Sequence, residues 1–148
     1  MRTSRQLVAK MVAVALIAGC SRSQRSAEDV SAGREAVADF RRASQQSFAE
    51  CANLECLRGA ATICAGAHLA ERYKTIEGTA VAADTFVVVE GSKCSVVAFF
   101  DHTADHYGGC RLLKRTCSSL ESMRSDSWDS KGCSQTVLRR IEPCTDQR

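Results

Sequence analysis

The residues best equipped for chemistry form one run, Asp101-His102-Thr103-Ala104-Asp105-His106-Tyr107-Gly108-Gly109. Two Asp-His pairs four positions apart bring two imidazoles and two carboxylates together. On a helical turn, residues i and i+4 share a face. His102 and His106 could therefore clasp Zn²⁺ or Cu²⁺, with Asp101 and Asp105 as ligands or as acceptors for the ring N–H groups. The same groups suit general acid–base chemistry, because histidine titrates near neutral pH. Asp, His, Thr and Gly are equally what an exposed connection between strands is made of, with Asp side chains capping turns. Two histidines without a third ligand nearby make a weak site. A polar or partner-contact loop is the favoured reading. The alternative is a zinc or copper site built from Asp101, His102, Asp105 and His106, and no other cofactor is implied.

Two further side chains stand out. His68 falls with Leu57 and Cys64 on one side of a helical pattern that runs from Leu54 to about Tyr73, which reads as a hydrogen-bonded core histidine. Trp128, the only tryptophan, lies between Asp126 and Asp129 and is a candidate partner contact, or else the cover of a disulfide or core edge. There is no G-x-S-x-G elbow, P-loop or G-x-G-x-x-G run. A Ser-His-Asp triad assembles from distant positions, so the enzyme question stays open and leans towards no.

The chain has nine cysteines, none in a Cys-x-x-Cys pair, which argues against a thioredoxin-like catalyst and against the paired spacings of structural zinc sites. An odd count in an exported chain leaves one thiol to explain. The first twenty residues explain it. Arg2, Arg5 and Lys10 form a positive head, and Met11 to Ala18 (MVAVALIA) is an apolar run. That run is far short of the roughly 20 residues a spanning helix needs. Head, apolar run and small residues in that order make an export signal. Because the small residues Ala18 and Gly19 lead to Cys20, the segment resembles the lipobox of bacterial lipoprotein precursors.

The resemblance implies that Cys20 receives a diacylglyceryl group, that a type II signal peptidase cuts after Gly19, and that the new amino group is acylated. One acyl chain holds only marginally, at about 0.8 kcal/mol per buried methylene. Three chains would anchor the protein stably at the membrane. Ser21, in place of an aspartate, resembles the pattern of lipoproteins sorted to the outer membrane where a bacterium has two. The implied location is the cell envelope, lipid-anchored, with an envelope protein or component as partner. With Cys20 lipidated, Cys51, Cys56, Cys64, Cys94, Cys110, Cys117, Cys133 and Cys144 remain. They form an even set for disulfides, with a connectivity that spacing does not give.

Removal of residues 1–19 takes three of the 20 basic residues and none of the 17 acidic ones, so the mature chain is formally neutral. With no basic patch interleaved with aromatics, no nucleic-acid partner is expected. Residues 20–29 read as the lipidated cysteine and a flexible polar tether, and 30–148 as one disulfide-rich domain.

The elements that must hold these residues follow from periodicity. From Val30 a helical stripe runs through Val37, Phe40 and Ser44 and on to Phe48 and Cys51, with Gly33 costing the helix about 1 kcal/mol. Asn53 is a plausible N-cap for the helix from Leu54. After Gly78 the chain turns β-branched and aromatic. Thr85–Glu90 and Cys94–Phe100 read as a hairpin around Gly91-Ser92-Lys93. Arg111–Thr116 is the expected next strand and Thr75–Ala80 an earlier one. Ser118–Gly132 reads as a long loop pinned by Cys117 and Cys133. Ser134–Ile141 is a short helix or a last edge strand, the helix preferred. The fold class is α+β: N-terminal helices followed by a small antiparallel meander, stapled by disulfides. Such an order is similar to cystatin-like and related one-helix, four-strand folds, an analogy that carries no function.

Overall fold

The computed structural model describes residues 21–75, 80–105, 109–124, 131–142 and 144, with only the backbone course given for 21–32 and 80. Cys20, His106 and Trp128 lie outside the described residues, and so do Asp126 and Asp129. Helix α1 (Ser21–Ser44) leads to β1 (Ala49–Cys51), α2 (Leu54–Thr62), β2 (Ala67–Lys74), β3 (Ala80–Glu90), β4 (Lys93–His102), β5 (Arg111–Cys117), α3 (Leu120–Arg124) and β6 (Cys133–Arg140). The strands form one sheet in chain order. β1 and β2 run parallel across the α2 connection, and every later pair is antiparallel.

The α+β class, the disulfide stapling and the antiparallel meander agree with the sequence. The β3–β4 hairpin closes as expected, with Glu90 opposite Lys93 and Gly91 at φ 64°. A glycine at positive φ in the first position of a two-residue loop matches the twist of the flanking strands.

Several expectations are corrected. Helix α1 begins at Ser21, within the residues read as a tether and ahead of the expected start at Val30, and it ends at Ser44 instead of running on through Phe48 to Cys51, which lies in β1. The helix from Leu54 stops at Thr62 rather than near Tyr73. Its end is a Schellman motif in which Cys64, at φ 55°, takes the left-handed position that glycine usually fills. The Ala65 N–H donates to the Ala60 carbonyl at 2.9 Å, and that of Cys64 to Ala61 at 3.4 Å. The sequence carries no glycine there to mark the stop. The early strand is therefore Ala67–Lys74, upstream of the expected Thr75–Ala80. Residues 118–132 are not all loop, since α3 starts within them behind Ser119, whose hydroxyl accepts the Ser122 N–H. Ser134–Ile141 is an edge strand, not a helix. Its Leu and Arg residues favour a helix intrinsically, but pairing with β5, fixed by the cystine opposite Cys117, overrides that propensity.

Side chains alternate across the sheet, so each strand feeds two cores. On one face Phe86, Val88, Val97 and Phe99 pack against Val37 and Phe40 of α1 and against Phe48. The Phe40 ring centroid lies 5.0 Å from that of Phe86 and 5.3 Å from that of Phe99. On the other face Leu69, Val87, Val96 and Ala98 meet Leu57 of α2 and Leu120 and Met123 of α3. Helices α2 and α3 cover this second face, and the C-terminal segment joins the sheet as β6.

α1 crosses its face closely. A Cβ on Gly33 would overlap the Asp101 carboxylate, which explains why this helix tolerates a glycine on its buried stripe.

The eight cysteines after Cys20 pair completely: Cys51–Cys56, Cys64–Cys94, Cys110–Cys144 and Cys117–Cys133. They tie α2 to β1, α2's end to β4, the β4–β5 connection to the C-terminal residues, and β5 to β6. Among the described residues no helix is long and apolar enough to cross a membrane.

Candidate functional site

The face shared by α2 and α3 is only partly covered. Beyond α3, towards the C-terminal end of β4, it opens into a cavity of about 600 Å³, within the range of small-molecule sites. Alternation builds its floor: Ala83 of β3, Phe100 of β4 and Leu113 of β5 point into it, and Leu120 and Met123 of α3 form an apolar wall. Around this floor stand Tyr73, Thr85, His102, Arg115, Gln135 and the pair Glu71–Arg124, whose side chains meet at 3.4 Å.

At one end of the cavity, His102 Nδ1 lies 3.1 Å from Asp105 Oδ2. Asp105 is 4 % exposed. The connection carrying the pair is clamped: the Asp105 N–H donates to the His102 carbonyl, and the Cys110 N–H to the Asp105 carbonyl, each at 2.9 Å. Cys110 is tied in turn to Cys144. A carboxylate that fixes one imidazole nitrogen leaves Nε2 as the ring atom offered to a ligand, an arrangement suited to hydrogen bonding or proton transfer. Tyr73 adds a hydroxyl whose pKa is raised, first by burial and then by the negative charges of Glu71 and Asp105.

Arg115 is the other notable group. It is 8 % exposed and lies on the inner face between Ala98 of β4 and Gln135 of β6. One guanidinium N–H reaches the Met123 carbonyl at 3.5 Å, which holds the group against the cavity wall. Arginine stays charged at any physiological pH, so the cavity contains a permanent, positioned cation.

The residues singled out in the sequence separate. His102 and Asp105 come together on the cavity. Asp101 lies on the opposite face of β4, where its Oδ1 accepts the backbone N–H of Thr103 at 3.0 Å and the Thr103 hydroxyl. Asp101 is thus engaged as a turn cap. Among the described residues no group of three or more His, Cys, Asp or Glu could hold a metal ion.

His68 sits in β2, not in a helix, yet it is the buried, hydrogen-bonded histidine expected. Its Nε2 meets Asp84 Oδ1 at 2.9 Å and its Nδ1 meets Glu50 Oε2 at 2.6 Å, with Arg41 of α1 against the same nitrogen. Its ring stacks on Phe86 at 4.4 Å. With both nitrogens engaged, its task is to dock α1 and β1 onto the sheet. Arg41 at 2.7 Å from Glu50 holds that carboxyl below the ordinary glutamate value, with His68 adding to the effect against some desolvation.

Sequence reasoning missed Tyr73, Glu71, Arg115, Arg124 and Gln135. One signal was present: in Arg111–Cys117, Arg115 shares the alternating face of Leu113 and Cys117, a charge on an apolar stripe. Tyr73 and Glu71 were hidden by the helical reading of 67–73, and Gln135 by that of 134–141.

Comparison of the chain with protein-family models, with curated protein sequences and with solved structures gives no match.

Proposed function

We propose that this protein is a lipoprotein of the bacterial cell envelope, anchored by acyl chains on Cys20 and displaying a disulfide-locked domain that binds a partner or envelope component. The observation that carries the reading is the closure of the cysteine pairing. Eight of nine cysteines form four cystines within the domain, and the ninth is the residue that ends the lipobox-like segment. Disulfides in this number belong to oxidising compartments. Helix α1 starts at Ser21, so the lipid-bearing residue would connect to the folded body through a helix docked on the sheet. A cavity with an apolar floor and fixed polar groups suits recognition. The outer membrane is the destination that Ser21 favours in a bacterium with two membranes.

Growth with an alkyne-bearing palmitate, followed by dye coupling and membrane fractionation, tests the reading. Labelled protein in the membrane fraction, with label lost and export processing blocked in Cys20→Ala, is the expected result. Unlabelled wild-type protein in the soluble cytoplasmic fraction would overturn it.

A further inference from the structure

We propose that the cavity beside α3 binds a neutral disaccharide, laid with a C–H face on Phe100 and with its hydroxyls on Thr85 and Gln135 at one end and on Tyr73 and His102 at the other. The inference rests on the binding-module part of the reading above, which it deepens, and is independent of the anchor. Strand register sets the layout. Thr85 of β3 stands across from Ala98, Ala98 from Arg115 and Arg115 from Gln135, which makes one row across the sheet. Ala83, Phe100 and Leu113 form the next row of this face, beside Glu71. Tyr73 and His102 lie one row further, each two residues along its strand from Glu71 and Phe100. At about 3.4 Å per residue the two outer rows stand about 14 Å apart, a span that two linked sugar rings fill once side chains and a hydrogen bond at each end are counted.

More than half of the lining residues are polar or charged, and the charged ones are engaged. Glu71 meets Arg124 at 3.4 Å, Asp105 meets His102, and Arg115 holds the Met123 carbonyl and has a further partner. An ionic ligand therefore finds no unpaired counter-charge. The groups left open, among the described residues, are the Thr85 and Tyr73 hydroxyls, the Gln135 amide and His102 Nε2. Thr85 carries the most weight. It is only 5 % exposed, and a hydroxyl at that depth without a partner is costly until something hydrogen-bonds to it. Hydroxyl and amide groups both donate and accept, as the hydroxyls of a sugar do. Between the polar rows, Phe100 and Leu113 supply an apolar strip for the C–H face of a pyranose. A purely apolar ligand would bury the groups at both ends unpaired.

The experiment uses the full processed protein in phosphatidylcholine nanodiscs and saturation-transfer NMR with cellobiose, maltose, lactose and N,N′-diacetylchitobiose, empty nanodiscs being subtracted. At least one of them is expected to show transfer that saturates with concentration and is strongest at the C–H protons of one ring face. Thr85→Val and Tyr73→Phe each remove one hydroxyl and are expected to weaken binding about fivefold. The two sites are far enough apart for the losses to add, so the double variant is expected to bind about 25-fold more weakly. Thr136→Val, on the other face of β6, keeps wild-type affinity. The proposal is overturned if none of the four sugars gives saturable transfer, or if the double variant binds as wild type does. Should the double variant not fold, the wild-type titrations and the single variants decide. N-terminal mass analysis of the same sample reports the lipid separately, so failure of the cavity and failure of the anchor are distinguishable.

Discussion

Removing the Cys64–Cys94 cystine by Cys64→Ala with Cys94→Ala should cost far more stability than removing Cys51–Cys56 in the same way. The two cystines span 30 and 5 residues. Restricting the unfolded chain scales with the logarithm of the closed loop, giving about 3.6 kcal/mol for the longer span and about 2 kcal/mol for the shorter. With a urea dependence of about 1.5 kcal/mol per molar, the midpoints should fall by roughly 2.4 M and 1.4 M. The urea dependence itself should steepen more in the Cys64/Cys94 variant, because a less constrained unfolded chain exposes more surface. Equilibrium urea unfolding of the full chain in a non-ionic detergent measures both quantities. Equal midpoint losses in the two variants, or a loss below about 1 kcal/mol for Cys64/Cys94, would refute the view that these bonds act as staples on the unfolded chain.

Other consequences follow from the same structure. Glu50 has a lowered pKa, first through its bond to Arg41, so the native state binds its proton less readily than the unfolded chain does. Its contribution is present above the ordinary glutamate range and is lost as pH falls through and below it. Thermal unfolding of Glu50→Gln should accordingly show a shallower decline than wild type on acidification, and identical slopes would contradict the reading. Gly33→Ala, which on an open helix gains about 1 kcal/mol, should instead destabilise, because the new Cβ meets the Asp101 carboxylate that Thr103 holds in place; a raised melting temperature would show that the close approach is absent. Elemental analysis of tag-free protein addresses the metal alternative. Metal well below one equivalent is expected, and stoichiometric zinc or copper lost in His102→Ala with His106→Ala would favour the alternative.

Much of the scaffold is legible because it rests on local pattern. Val37 and Phe40 fall at helical spacing, Phe86 to Val89 alternate, and Gly91 supplies the turn that joins two strands. Asn53 announces the start of α2 and does cap it, accepting the Cys56 N–H at 3.0 Å. Where the reading failed, a tertiary constraint outweighed the local signal. Cys64 adopts a left-handed backbone while tied to Cys94, so α2 ends without a glycine, and an alanine-rich stretch that scans as helix becomes β2. The exposed β6 carries helix-forming residues and is a strand because its neighbour and the Cys117 cystine require it.

The site was half visible for the same reason. His102 and Asp105 are close in sequence and meet in space, whereas Arg115, Tyr73 and Gln135 are gathered by strand register alone. Asp101, adjacent to His102, points to the opposite face because successive residues of a strand must.

The most direct test of the whole account is an alkylation count on protein taken from cells under acid quench. Without reduction, iodoacetamide should modify no cysteine; after denaturation and reduction it should modify eight, with the N-terminal fragment beginning at an acylated Cys20 that takes up none. An alkylated Cys20 in an uncut chain, or several free thiols among the eight before reduction, would contradict it.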